Sequence, residues 1–326
     1  MNTTEISKNE VKMGLINSKV IEKFAAFAAL ILLVALFSIM SPAFRTVDNL
    51  LTVALQTSII AFIGIGVVFV IVAGGIDLGI GSVIALTGVA AGLAMQAGCP
   101  AFPAILLALL VGIICGLFNG FVITTMKLPP FIATLGTMMV ARGFALYITN
   151  AAPITISDPF FNLLGGTIPG TRFPVPVVIM ILIALIFGFI LQKTRLGRYT
   201  YATGSNEEAA RLSGINIQRT KITLFAISGL LAAVAGIVLA SRLSTAQATA
   251  GVSYEMDAIA SAAVGGASLT HGGVGTIMGT MIGAFIIGVL RNGLNMLGVS
   301  SFIQSIVIGG VLIIAVYMDQ LRNKKA

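Results

Sequence analysis

The residues of this chain fall into long, mostly apolar runs, near residues 24–40, 50–73, 82–97, 104–125, 131–149, 174–192, 222–240, 257–271, 274–290 and 299–317. A helix crosses about 30 Å of hydrocarbon with roughly 20 mostly apolar residues, and many of these runs have that length. The pattern predicts an all-α, polytopic integral membrane bundle of about ten transmembrane segments with glycine-broken helices. The two shortest runs, 82–97 and 257–271, lie beside the breaks GGIDLGIGS (Gly74 to Ser82) and GGASLTHGG (Gly265 to Gly273), which share Gly-Gly-x-x-Leu. Irregular backbone at membrane depth is tolerated only inside protein or along a wet cavity, and interrupted helices in two halves of a chain often mark a transport path. The count of runs gives both breaks the same orientation, so it does not support an inverted repeat.

Composition agrees with this picture. The 326 residues are 57% hydrophobic and 9% charged, against about 25% charged in a typical soluble domain. The 37 glycines suit a bundle whose helices approach closely. Tryptophan is absent, so interfacial anchoring falls to tyrosine and other residues.

A net charge of +8 invites a nucleic-acid reading, but the basic residues do not gather on one face. Lys8, Lys12, Lys19 and Lys23 precede the first run, a second group lies between Lys193 and Lys221, and Arg322, Lys324 and Lys325 end the chain. Short cationic segments beside spans stay in the cytoplasm, so this charge reads as topology and no nucleic-acid partner is expected. An even number of runs separates the three groups. The expected organisation is a cytoplasmic N-terminal segment 1–23, one transmembrane domain 24–317 with a cytoplasmic connection 193–221, and a cytoplasmic tail 318–326. Lys127 then falls inside, and the stretch from Asn150 to Phe173 falls outside. No convincing cleavage site follows the first run, so it does not read as a signal peptide.

Candidate chemistry is sparse. Cys99 and Cys115 form no metal or redox motif and read as packing residues. His271, the single histidine, has no ligand cluster around it and reads as a surface-loop residue, so no metal site and no catalytic group are expected. Asp77 is the one acid embedded between apolar runs in the first half. An ionisable group at that depth needs a partner or a cavity, and two roles stay open for it, a cap on the following helix or a substrate contact. Arg142 is the basic residue deepest in a run and reads as a structural clamp or a substrate contact. Asn119, Asn292 and Asn295 carry amides suited to sugar hydroxyls or to holding helices together. Asp257 completes the candidate path or structural polar residues.

In the longest cytoplasmic connection, Asn206-Glu207-Glu208-Ala209-Ala210-Arg211-Leu212 reads as a short capped helix, with acids early, Arg211 late and Gly214 as terminator. Glu208-Ala209-Ala210, three residues, then Gly214 also matches the core of the loop by which ATP-binding-cassette (ABC) importer permeases dock on their ATPase subunits.

With that loop, the chain resembles the permeases of ribose-type ABC sugar importers nearly end to end. The carrying segments are GGIDLGIGS (74–82), FIAT (131–134) with Arg142-Gly143, TRLGRYTYATGSNEEAARLSGIN (194–216), AQATAGVSYEMDAIASAAVGGASL (246–269) and RNGLNMLGV (291–299). The resemblance implies a homodimer or paralogue pair in the cytoplasmic membrane, a cytoplasmic ATPase and a periplasmic or surface sugar-binding protein. It also places Asn206, Glu207, Glu208, Ala209, Ala210, Arg211 and Gly214 on the ATPase. The chain departs from similar permeases at Gly79, where they often carry Ser, and at His271, where they often carry a small residue. The sugar, ribose, allose or another monosaccharide, stays open.

No Gly-x4-Gly-Lys-Ser/Thr occurs, so this chain is not expected to cradle ATP; ATP and Mg would be bound by the partner ATPase, and no cofactor is expected here. The competing reading is an ion-coupled secondary transporter with Asp77 as proton carrier. A non-transporting membrane scaffold leaves the breaks and the capped loop unexplained. Branched-chain amino-acid permeases are a substrate-level alternative within the leading class.

Overall fold

The computed structural model describes residues 26–323; the lysine-rich N-terminal segment, Lys324 and Lys325 lie outside the described residues. The first half runs through α1 (Ala26–Met40), α2 (Val47–Val72), α3 (Ile80–Gln96), α4 (Ala101–Thr125), α5 (Pro130–Thr149) and the short α6 (Pro159–Leu163). The second runs through α7 (Val175–Lys193), α8 (Arg195–Ser205), α9 (Glu207–Leu212), α10 (Ile217–Leu243), α11 (Tyr254–Val264), α12 (Ile277–Met296) and α13 (Ser301–Asn323). Two-residue strands β1 (Ile154–Thr155) and β2 (Thr245–Ala246) pair antiparallel, Ile154 opposite Ala246 and Thr155 opposite Thr245.

Seven of these helices, α2, α4, α5, α7, α10, α12 and α13, are long and apolar enough to cross a membrane, and α1 and α3 are shorter apolar helices. The molecule is an all-helical polytopic bundle. Its axis is α2, whose residues 57–72 are all buried and which packs against α10, α12, α11 and α7. Apolar side chains on α7 and α13, such as Leu185, Phe189, Ile306 and Ile313, face outward. Lipid tails are as apolar as leucine, so these faces carry no penalty in a bilayer; small residues and interhelical hydrogen bonds hold the helices together instead. One such contact joins α4 to α10, where a methyl group on Gly112, Gly116 or Gly229 would overlap backbone of the facing helix.

The expected run 257–271 is not one helix. The helix starts earlier, at Tyr254, and stops at Val264 because Gly266 turns left-handed (φ 88°). Gly266 N–H then bonds the Ala263 carbonyl and Ala267 N–H the Ala262 carbonyl, each at 2.9 Å, which closes a Schellman motif. At 1.5 Å per residue α11 is about 16 Å long, half a bilayer. Before it, residues 247–253 run without strand or helix.

Candidate functional site

The first break begins as α2 ends in the same way. Gly74 is left-handed (φ 81°), and Gly74 and Gly75 N–H bond the carbonyls of Ile71 and Val70 at 2.9 Å. The chain then turns back through Asp77, which is buried. Its Oδ1 accepts from Gly79 N–H at 3.0 Å and its Oδ2 from Ser228 Oγ of α10 at 2.7 Å. The carboxylate therefore braces the break. It does not cap α3 itself, whose N-cap Gly79 has no side-chain partner in the helix. Thr134 Oγ1 of α5 donates to the Ile76 carbonyl at 3.3 Å, and Thr137 of the same helix donates to Asn119 Oδ1 of α4. Asn119 thus joins α4 to α5 beside the break.

Arg142 lies well inside α5, twelve residues past its start. Its Nη1 donates to the carbonyls of Ala248 and Ala250 at 2.6 and 2.7 Å, and its Nη2 to the Gly81 carbonyl in the first turn of α3 at 3.3 Å. A planar guanidinium presents several donors in a fixed fork, which suits three converging carbonyls. Glu255, at the start of α11, sets its carboxylate over Gly81 and attracts Arg142. One arginine therefore fastens the irregular stretch 247–253 to the root of α3. The flank of that stretch is open: Thr249, Val252, Ser253 and Met256 are exposed.

A third polar group ties α11, α12 and α2. Asp257, 1% exposed, receives Arg291 Nη2 on both carboxylate oxygens. Next to it on α12, Asn292 Oδ1 accepts from Asn49 Nδ2 at 3.0 Å, and Asn49 Nδ2 also reaches the Phe44 carbonyl at 2.9 Å. Asn295 joins neither group and is exposed.

After α7 come the two short helices α8 and α9. Thr194 starts α8 by accepting from Gly197 N–H, and Asn206 starts α9 by accepting from Ala209 N–H at 2.9 Å. Ala210 is the buried residue of α9, so it fixes which side turns inward. Gly214 is left-handed (φ 82°), with Gly214 and Ile215 N–H on the carbonyls of Arg211 and Ala210 at 3.0 and 3.1 Å. Glu207 pairs with Lys221 and Glu208 with Arg211, both at 2.6 Å; the second pair is largely exposed and orients more than it stabilises, whereas the Lys221 side chain is mostly covered. Tyr201 of α8 is partly buried, its hydroxyl donating to the Gly275 carbonyl at 2.7 Å; burial raises its phenol pKa.

Residues 247–253, Glu255 and Tyr201 lie in segments that carry the family resemblance, but their contacts, like those of Asn49 and Ser228, are not legible from the sequence. His271 is exposed, as expected, but it is not isolated: its Nδ1 lies 2.9 Å from Thr270 Oγ1. Among the described residues no group of His, Cys, Asp and Glu is arranged to hold a metal ion.

A model of the branched-chain amino acid transport system permease component family matches residues 49–316. The ribose import permease protein RbsC of Haemophilus influenzae is 45% identical over 98% of this chain and 99% of its own length. The protein of the same name from Bacillus subtilis is 45% identical over 93% and 94% of the two chains. The D-allose transport system permease protein AlsC of Escherichia coli is 40% identical over 93% of each. No solved structure matches the chain.

Proposed function

The chain belongs to the family of branched-chain amino acid transport system permease components, and on that premise we propose that it is the membrane-spanning permease subunit of an ABC importer for a monosaccharide of the ribose or allose type. The observation that carries the sugar reading is the near full-length identity to relatives named as ribose and allose permeases. The chain is a transport subunit and not an enzyme; a separate cytoplasmic ATPase binds ATP and Mg, and a periplasmic or surface sugar-binding protein delivers the solute.

The seven long helices, together with α1, α3 and the stretch 244–264, make ten crossings. Both termini and the α8–α9 unit are then cytoplasmic, and β1 and α6 lie outside. Cysteine labelling of intact cells tests this: a cysteine at Asp158 should react with an impermeant reagent and one at Asn206 should not. The exposed irregular backbone near Val252 and Ser253 sits at the depth of Arg142. It cannot face lipid without stranding polar backbone groups, so it faces a wet path shared with a second permease copy or paralogue. Asp77, Asn119, Asp257 and Asn292 are the bracing beneath that path, and Arg142 with Glu255 is its charged wall.

Transport follows from differential contact: an ATPase that grips α9 more tightly in one state biases the bundle toward that state. The ion-coupled alternative needs Asp77 to exchange protons with water, yet that carboxylate is buried with both oxygens engaged. The test is purification of the tagged chain from its native membrane and reconstitution in lipid vesicles. The expected result is a co-purifying ATPase subunit and ATP-dependent uptake of radiolabelled ribose or allose. Uptake by the chain alone under a proton or sodium gradient overturns the proposal.

A further inference from the structure

Both glycine-rich breaks meet α8 at one point. The carbonyl of Val72, the last residue of α2, accepts from Gly273 N–H of the second break at 2.7 Å. Gly204 of α8 lies against that same pair: a methyl group there would overlap the Val72 carbonyl oxygen and come within 2.5 Å of Gly273 N. Gly272 packs in turn on Gly204, where its own methyl would meet the Gly204 carbonyl oxygen at 2.5 Å. One turn earlier in α8, the Tyr201 hydroxyl holds the Gly275 carbonyl. Glycine is the one residue that admits such backbone-to-backbone approach. Val72 leads directly into the break braced by Asp77, and Gly273 lies at the far end of the second break, nine residues past the end of α11.

We propose that Tyr201 and Gly204 are positioning residues that transmit movement of the α8–α9 unit to both broken helices at once. The inference rests on the reading of α9 as the ATPase-docking helix. Packed backbone with no side chain between transmits displacement rather than absorbing it, because close-packed interiors are stiff. A push on α8 therefore moves Val72 and Gly273 together, the former toward Asp77 and the root of α3, the latter toward α11 and Glu255. The Tyr201 hydroxyl makes the contact hold in tension as well as in compression.

The test compares Tyr201→Phe and Gly204→Ala with the wild-type importer, purified with its bound ATPase and reconstituted in phosphatidylethanolamine–phosphatidylglycerol vesicles. Three quantities are read: ATPase subunit per permease, thermal stability, and labelled ribose or allose taken up per ATP hydrolysed. Tyr201→Phe should keep the first two and lower uptake per ATP about fivefold or more, the lower end of measured coupling between sites. Gly204→Ala should act in the same direction; if it is lost from membranes, Tyr201→Phe decides alone. A merely structural role would lower stability and leave uptake per ATP unchanged. Wild-type uptake per ATP in Tyr201→Phe overturns the joint while leaving the permease assignment standing. Absence of any ATPase subunit on the wild-type chain overturns both.

Discussion

Arg291 Nη2 lies 2.7 and 2.8 Å from the two carboxylate oxygens of Asp257, joining α12 to the half-helix α11. Asp257 is almost wholly buried, whereas the Arg291 side chain is 30% exposed. α11 is too short to be held by its own hydrogen bonds. The pair is thus its lateral anchor, alongside the packing of Gly265 on Gly279.

Removing Arg291 leaves the buried Asp257 charge unanswered, at a cost of about 3 kcal/mol, and removing Asp257 costs less because Arg291 reaches solvent, whereas replacing both partners by apolar groups is often neutral. Asp257→Ala and Arg291→Met should each lower the thermal stability of the purified permease, and the double variant should recover much of the loss. A double variant as unstable as the sum of the singles would mean that the two residues act independently.

Asp77 makes a sharper chemical prediction. Asparagine can accept from Gly79 N–H with its oxygen and face Ser228 Oγ with its amide, whereas alanine abandons both partners. Asp77→Ala should lower stability by about 1–3 kcal/mol, the cost of stranding buried hydrogen-bonding groups, and depress uptake accordingly. Asp77→Asn should stay near wild type in abundance and retain more uptake. Equal loss of uptake in both variants at normal abundance would assign a charge-dependent role in transport instead.

For Arg142 the relevant property is the fork. Lysine keeps the charge but is a point donor on a flexible stem, and cannot hold Ala248, Ala250 and Gly81 in one plane. Arg142→Lys should therefore leave membrane abundance close to normal while uptake falls and protease or cysteine-reagent access to residues 249–253 rises. Unchanged access with lowered uptake would point to a substrate contact.

Much of this architecture is written locally in the chain. The start and stop of α9 are legible because Asn206 and Gly214 act on their immediate neighbours, and the long helices are legible because one hydrophobic run suffices to specify each. The length of α11 is not, because Ala267, Ser268 and Leu269 have the same apolar character as the helix before them; only the left-handed turn at Gly266 separates the two. The stretch 247–253 is least legible of all. Its residues form no apolar run of their own, and its place within the bundle depends on Arg142, more than a hundred residues earlier. Asn49 and Asn292 meet across an even longer separation, and nothing in either local segment announces the other.

The last prediction concerns Gly214. Six residues cannot form a stable helix unaided, so α9 depends on the Asn206 cap, on buried Ala210 and on the Schellman closure at Gly214. The exposed pair of Glu208 with Arg211 adds little energy, and with the half-exposed Glu207 it sets the charge pattern of the surface. A side chain at the left-handed position costs about 1–2 kcal/mol, and a β-branched one is worse because its Cβ is more crowded there. Gly214→Val should therefore unwind α9 while leaving the long helices inserted. Reversing Glu207 and Glu208 together to lysine should preserve the closure but turn the first turn of α9 positive, against the helix dipole and against Lys221 and Arg211. Both variants should reach wild-type membrane abundance, recover less ATPase subunit by pull-down and take up less sugar, with Gly214→Val losing α9 itself and the reversal losing only its charge. Full uptake by both at normal abundance would reduce α9 to a solvated connection between α8 and α10.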